Sequence, residues 1–307
     1  MAADTAALRI ANRLWPGAPV ALEELSGGLT NLNYKATTPG GTYAIRLFCR
    51  HSELLAIDRK VEWAAGSMAA GLGIGPEVVA YSPREGYLVT RFVPGQRLTA
   101  EQLRVPGVMA RVAGTLRILH RGPPIPGTVD PVSVIDFYRD NAVARGADPG
   151  DDYSWARPVA SQIKRAVSFS FNAPCHNDLV AANFIDGAGQ IYLVDFEYAG
   201  MGDPRFELAN LSVNHDFGID EDRELVRLYC GEPDQHMVAA VRVLRFLSAF
   251  REAMWSVLQQ AISDLSFDFR EYAREQFARM RTAASGEQFR AALELLESST
   301  GTSRSVR

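Results

Sequence analysis

The stretch Cys175-His176-Asn177-Asp178-Leu179-Val180-Ala181-Ala182-Asn183-Phe184-Ile185, followed after a short turn by Tyr192-Leu193-Val194-Asp195-Phe196-Glu197, decides how the rest of the chain is read. Asn183 precedes the apolar pair Phe184-Ile185, and Asp195 follows the apolar run Ile191 to Val194, so each polar residue ends a segment of the kind that forms a buried strand. Gly187 and Gly189 lie between those runs and predict a hairpin turn. The hairpin brings Asn183 and Asp195 to one end, with Asp178 on the loop leading in. Such a triangle suits phosphoryl transfer: Asp and Asn oxygens bind Mg²⁺, and a further carboxylate accepts the proton of an attacking hydroxyl. Any one of these residues alone is an ordinary turn former. Their joint spacing, His-x-Asp with an Asn five residues after the Asp and then a strand ending in Asp-Phe-Glu, is far more specific.

Composition narrows the field. A chain of 307 residues has room for two domains or one large one, and for a sizeable core. Its 47% hydrophobic and 22% charged residues are those of a soluble globular protein. A net charge of −4, without clustered Lys and Arg, argues against a nucleic-acid partner. No stretch approaches the ~20 apolar residues of a membrane span. The opening Met1-Ala2-Ala3-Asp4-Thr5 has no basic segment before an apolar run, which predicts a cytoplasmic enzyme. Cys49, Cys175 and Cys230 are few, odd in number and far apart, which speaks against a disulfide framework or a zinc site.

Ahead of the central stretch, Leu8, Ala11 and Leu14 predict a helix from about Thr5 to Trp15, ended by Pro16-Gly17. Val20 to Leu25, Asn33 to Thr37 and Tyr43 to Phe48 then read as strands. The first two are joined by Ser26-Gly27-Gly28-Leu29-Thr30-Asn31, a small polar loop able to approach a polyanion, although a plain hairpin turn has the same composition. Arg46 alternates with Ala44 and Phe48, so it points either to a cleft or to a solvated face. Ser52 is a possible cap for a helix bearing Val61, Ala65 and Met68, in which Glu62 either holds Arg46 in place or sits exposed beside Arg59 and Lys60. Val78 to Tyr81 and Tyr87 to Val93 complete five strands, and Pro94-Gly95 marks a boundary between lobes, 1–93 and 94–297.

Beyond it, helical spacing covers Met109 to His120, Val132 to Ala144, Trp155 to Phe169, Phe206 to Val213 and nearly all of Glu221 to Leu296. His120, at a helix end, reads as structural. The aromatic residues of the last third follow no heptad, which excludes a coiled coil. The tail 298–307, polar and Ser/Thr-rich, reads as disordered.

These motifs resemble the choline and ethanolamine kinase branch of the aminoglycoside-phosphotransferase-like kinases. The resemblance runs from Ser26-Gly27-Gly28-Leu29-Thr30-Asn31 through His176-Asn177-Asp178 and Asp195-Phe196-Glu197-Tyr198 to Trp255 and Tyr272. It implies an α+β, bilobal, protein-kinase-like fold: a five-stranded antiparallel N-terminal lobe and a larger helical lobe. It further implies ATP and Mg²⁺ as cofactors, with Asp178 as base and Asn183 and Asp195 as metal ligands. Ser26, Gly27, Gly28, Thr30 and Asn31 would cover the phosphates, Arg46 would contact them with Glu62 as its partner, and Phe92 and Val93 would meet the adenine. Glu197, Glu252, Trp255 and Tyr272 would form the pocket for a small amino alcohol, choline first and ethanolamine next. This sequence departs from the family pattern at Glu252, where a tryptophan is expected, and at Asn214 and His215, where an acid and an aromatic are expected. A quaternary ammonium needs aromatic faces, whereas a primary ammonium donates hydrogen bonds to acids or amides. Rival readings are an aminoglycoside, thiamine, homoserine or methylthioribose kinase of the same fold, or a nucleotide-binding regulatory module without transfer activity.

Overall fold

The computed structural model describes residues 2–25 and 30–304. A first helix, α1 (Ala2–Leu14), is followed by strands β1 (Ala21–Leu25), β2 (Leu32–Thr38) and β3 (Gly41–Leu47), then helix α2 (Arg59–Gly71) and strands β4 (Val78–Ser82) and β5 (Tyr87–Arg91). The strands form one antiparallel sheet in the order β1-β2-β3-β5-β4. Its register sets Tyr34 opposite Ile45 and Ile45 opposite Val89, and these residues are buried with Ala7, Ile10 and Ala11 of α1. Side chains alternate along a strand, so the neighbouring set, in which Arg46 lies between Asn33 and Leu88, faces the other way. One face of the sheet is core; the opposite face looks toward the helical lobe and carries Arg46.

Helix α2 starts later than the sequence suggests. Ser52 heads only a short 3₁₀ turn, Ser52–Leu55, closed off by His51 and Ala56 in the left-handed region (φ 62° and 57°). The true cap is Asp58, whose carboxylate accepts from the N–H groups of Lys60 (2.8 Å) and Val61 (3.4 Å). That start places Arg59 and Glu62 on the buried side and sends Ala65 and Ala69 into the core of the larger lobe.

The larger lobe contains strand β6 (Gln96–Arg97) and helices α3 (Ala100–Leu103), α4 (Pro106–His120), α5 (Pro131–Val143) and α6 (Gly150–Val167). Next come strands β7 (Ala173–Cys175), β8 (Phe184–Gly187), β9 (Gln190–Leu193) and β10 (Gly200–Gly202), then helices α7 (Pro204–Asn214), α8 (Ile219–Cys230), α9 (Gln235–Ile262), α10 (Phe269–Ala284) and α11 (Glu287–Arg304). α9 is the axis of the lobe. Phe246, Phe250, Met254 and Leu258 are fully buried along it, and α5, α7 and α10 pack around it. Its irregular aromatic positions are core positions, which is why no heptad was visible.

The predicted hairpin is present: β8 pairs with β9, with Phe184 opposite Leu193. The connection between lobes runs directly over it. A Cβ on Gly95 would lie 2.5 Å from the Asp186 carbonyl oxygen, and one on Gly187 would lie 2.6 Å from that of Pro94, so this crossing requires glycine on both sides. At the other end of the chain the expectation of a disordered tail from Ser298 fails for residues 298–304, which continue α11. Leu293 and Leu296 are buried on that helix, and the Ser298 and Ser299 hydroxyls both bond to the Leu295 carbonyl (2.8 and 2.9 Å). Apart from that tail, the chain has the expected α+β, bilobal architecture. No described helix is long and apolar enough to cross a membrane.

Candidate active site

The hairpin brings the three oxygen-bearing residues of the central stretch together. Asn183 Nδ2 donates to the Asp178 carbonyl oxygen (2.9 Å) and to Asp178 Oδ2 (3.0 Å), while the Val194 N–H donates to the Asn183 carbonyl (3.0 Å). Asp195, just past β9, takes the left-handed conformation (φ 72°). His176 braces the loop: its Nδ1 accepts from the Asp178 N–H (3.3 Å) and its Nε2 lies 2.8 Å from the Val194 carbonyl. That pattern places the ring proton on Nε2. Burial raises the Asp178 carboxyl above the usual range, opposed by His176 and Arg251.

What holds this loop is a polar stripe on α7 that the sequence reading overlooked. Glu207 Oε1 accepts from the N–H groups of His176 and Asn177 (2.7 Å each), and Asn210 Oδ1 accepts from that of Leu179 (2.6 Å). Asn214 Nδ2 donates to the Leu179 carbonyl (3.3 Å). Positions 207, 210 and 214 share one helix face, so α7 clamps the loop backbone through side chains alone. His120 is structural, its Nε2 lying 2.6 Å from Glu207 Oε2 and its Nδ1 2.8 Å from the Tyr229 hydroxyl. Burial works to raise the Glu207 carboxyl, but the contacts with His120 and His176 and the bonds from the loop hold it below the usual value. A carboxyl depressed in the folded state adds stability that is complete above its unfolded value of about 4.3 and is lost as pH falls through the folded value. Glu207→Gln should therefore give an acid-unfolding profile with a shallower slope below pH ~4, read by circular dichroism. Glu207→Ala, which strips two buried N–H groups of their acceptor, should cost about 3–5 kcal/mol in urea unfolding at pH 7.

Between the sheet and the hairpin lies a cleft of about 320 Å³, lined by Arg46, Glu62, Phe92, Val93, Asn183 and Asp195 together with apolar side chains such as Val78 and Leu88. Arg46 Nη1 reaches Glu62 Oε1 (2.8 Å) and Asp195 Oδ1 (2.6 Å), so this one cation ties the sheet to both α2 and the hairpin. Arg59, which sequence reasoning left among exposed charges, is buried. Its guanidinium contacts Glu62 Oε2 (2.8 Å), Glu197 Oε2 (3.4 Å) and Asn31 Oδ1 (3.0 Å), and lies 4.2 Å from the centroid of the Phe48 ring. Asn31 Nδ2 in turn donates to Glu197 Oε2 (2.7 Å). Burial and the neighbouring Asp195 push the Glu197 carboxyl up to about 8, with Arg46 and Arg59 pulling the other way.

A second, smaller cavity, about 160 Å³, adjoins the first on the side of α9 and α10 and is lined by Asp178, Glu197, Tyr198, Glu252, Trp255 and Tyr272. The two share Asn33, Ala182, Asn183 and Asp195, so the residues of the central stretch stand where one space opens into the other. Trp255 Nε1 donates to the Tyr198 hydroxyl (2.9 Å), and the Tyr272 hydroxyl donates to Glu252 Oε1 (3.0 Å). Thr30 and Asn31 border this second cavity. Ser26, Gly27 and Gly28 lie outside the described residues. Neither Asn214, which bonds the loop, nor His215, which is buried with Nδ1 2.7 Å from the Leu211 carbonyl, lines the cavity. Arg251 does, with Nη2 bonded to the Asn177 carbonyl (2.6 Å).

The donor set at the junction fits a hard divalent cation. The Asn183 amide nitrogen is committed to Asp178, which leaves its oxygen available, and the Asp195 side chain is 25% exposed. A family model described as "Phosphotransferase enzyme family" matches residues 21–247, well over half of the chain. The chain belongs to that family. Among curated relatives of this phosphotransferase, a probable ethanolamine kinase from Arabidopsis thaliana is 25% identical over 292 residues, spanning 82% of this chain and 76% of the relative. Among solved structures, a choline/ethanolamine kinase family protein from Mesorhizobium loti superposes with a TM-score of 0.82 at 29% identity, covering 96% of this chain and 99% of that one. Choline kinase LicA from Streptococcus pneumoniae, at 22% identity, shares the fold with a TM-score of 0.78 over 92% and 99% of the two chains. The resemblance read from the motifs is thereby borne out, and so is the protein-kinase-like fold of this phosphotransferase.

Proposed function

We propose that the protein is an ATP- and Mg²⁺-dependent kinase that transfers the γ-phosphoryl group to the hydroxyl of a small amino alcohol, choline or ethanolamine. The observation that carries this reading is the meeting of two cavities at Asn183 and Asp195, with Asp178 in the inner one. The outer cleft accepts the nucleotide, its adenine against Phe92 and Val93 and its phosphates toward Arg46. The inner cavity takes the alcohol. Asp178, oriented by the Asn183 amide, accepts the hydroxyl proton as the oxygen attacks, and its raised affinity for a proton suits that task. Asn183 and Asp195 would hold Mg²⁺, which would supply charge neutralisation at the phosphates. Arg46, fixed by Glu62, is the one cation on the cleft face of β3 and supplies the remaining positive charge. Most of the rate then comes from positioning two reactants across one junction.

Acids and aromatic rings in a cavity of only about 160 Å³ favour a small cation over a bulky aminoglycoside. An enzyme-linked assay of ADP release across choline, ethanolamine, aminoglycosides, thiamine and homoserine tests the proposal. Stimulation by choline or ethanolamine, dependent on Mg²⁺, is expected. ATP binding without Mg²⁺ dependence, and without acceleration by any alcohol, would instead favour a regulatory module.

A further inference from the structure

Glu252 brings a carboxylate to the wall of the second cavity. Its Oε1 accepts from the Tyr272 hydroxyl (3.0 Å), and no described Arg, Lys or His forms an ion pair with it. Arg251, the next residue, also lines the cavity, with its Nη2 bonded to the Asn177 carbonyl (2.6 Å). Burial, and then the nearby Asp178, push the Glu252 carboxyl above its usual range, with Arg251, the Tyr272 bond and Arg279 pulling the other way, so a cationic ligand beside it would favour the charged form. Two tyrosine hydroxyls of the same cavity have partners. The Tyr138 hydroxyl donates to the Leu55 carbonyl (3.0 Å), and the Tyr198 hydroxyl accepts from Trp255. Trp255 and Tyr272 meet at 81°, with centroids 6.5 Å apart, so they do not make two parallel walls.

We infer that Glu252, oriented by Tyr272, makes the inner cavity selective for an amino alcohol whose ammonium carries N–H, over a quaternary one. This inference rests on the reading under Proposed function and narrows it. An N–H donor meets the carboxylate in a charge-assisted hydrogen bond. A trimethylammonium group has no such donor and leaves this half-buried carboxylate with the Tyr272 bond alone, so the site discriminates against the analogue that lacks N–H. Trp255 remains as an aromatic contact for the alkyl part of either ligand.

The test is kcat/KM for ethanolamine, N-methylethanolamine, N,N-dimethylethanolamine and choline, for the full chain and for Glu252→Gln and Tyr272→Phe. The full chain should lose efficiency with successive methylation, by about tenfold or more between ethanolamine and choline. Glu252→Gln should shrink that ratio, mainly by raising KM for ethanolamine. Tyr272→Phe, which keeps the ring and frees the carboxylate, should shrink it less. ATP-dependent thermal shifts equal to those of the unsubstituted chain establish that each variant is folded. Choline used as well as ethanolamine, or a ratio unchanged in folded Glu252→Gln, overturns the inference and leaves the proposed kinase activity standing. No ADP release with any of the four alcohols overturns that activity itself, and the inference with it.

Discussion

Asp178→Asn should lower kcat by about 10³-fold while the protein stays folded and still binds ATP. The substitution keeps the size and shape of the side chain and removes its ability to take a proton. Asn183 Nδ2 bonds both the Asp178 main-chain carbonyl and Oδ2, and an amide oxygen at position 178 accepts the second of these bonds as well as a carboxylate does. The cost of holding a charge there disappears too, because burial is the main cause of the raised Asp178 carboxyl and a neutral amide incurs no such penalty. The melting temperature should therefore be equal or higher. Loss of turnover together with a preserved melting temperature and ATP-induced thermal shift separates a proton acceptor from a structural residue. Turnover within a few fold of the original would remove Asp178 from that role.

Asp195→Ala should be as damaging, by a different route. Asp195 stands where the two cavities join and is bonded to Arg46 on the opposite lobe. Its removal leaves Arg46 paired with Glu62, so no buried cation is stranded. It also removes the charge that, after burial, does most to raise the Glu197 carboxyl. The fold should survive. What is lost is the carboxylate of the proposed Mg²⁺ site, and an electrostatic contribution of about 4 kcal/mol corresponds to a fall of about 10³-fold in kcat. A Mg²⁺ titration of ADP release should show no saturable activation in the variant. An unchanged Mg²⁺ midpoint would place the metal elsewhere.

The extent to which these features could be read from sequence depended on whether their signal was local. The hairpin carrying Asn183 and Asp195, the strand carrying Arg46 and the helix carrying Glu62 all announce themselves by alternation, glycine turns or periodicity. Arg59 did not. It adjoins Lys60 in a charged run, and the partners that hold it inward, Asn31 and Glu197, are remote in sequence. Arg251 and Glu252 lie on a helix buried nearly all round, where an apolar stripe cannot say which polar positions face a cavity. The α7 clamp could have been found. Glu207, Asn210 and Asn214 recur at helical spacing in a largely apolar, buried segment, and a polar stripe on a buried helix must bond something. Ser298 and Ser299 misled because their composition is that of a tail, while the leucines just before them anchor the helix that carries them.

The way α2 is seated decides which parts of the molecule can move together. Ala65 and Ala69 root it in the larger core, so Arg59 and Glu62 travel with the hairpin even though they precede it by more than a hundred residues. A tilt of the strand layer would carry off Arg46 and Asn31, the first leaving behind Glu62 and Asp195 and the second Glu197. These bonds act as a latch across the mouth of the molecule. Because its members are buried or only partly exposed, dissolved ions screen it less than a surface pair, and changes in ionic strength should shift it little.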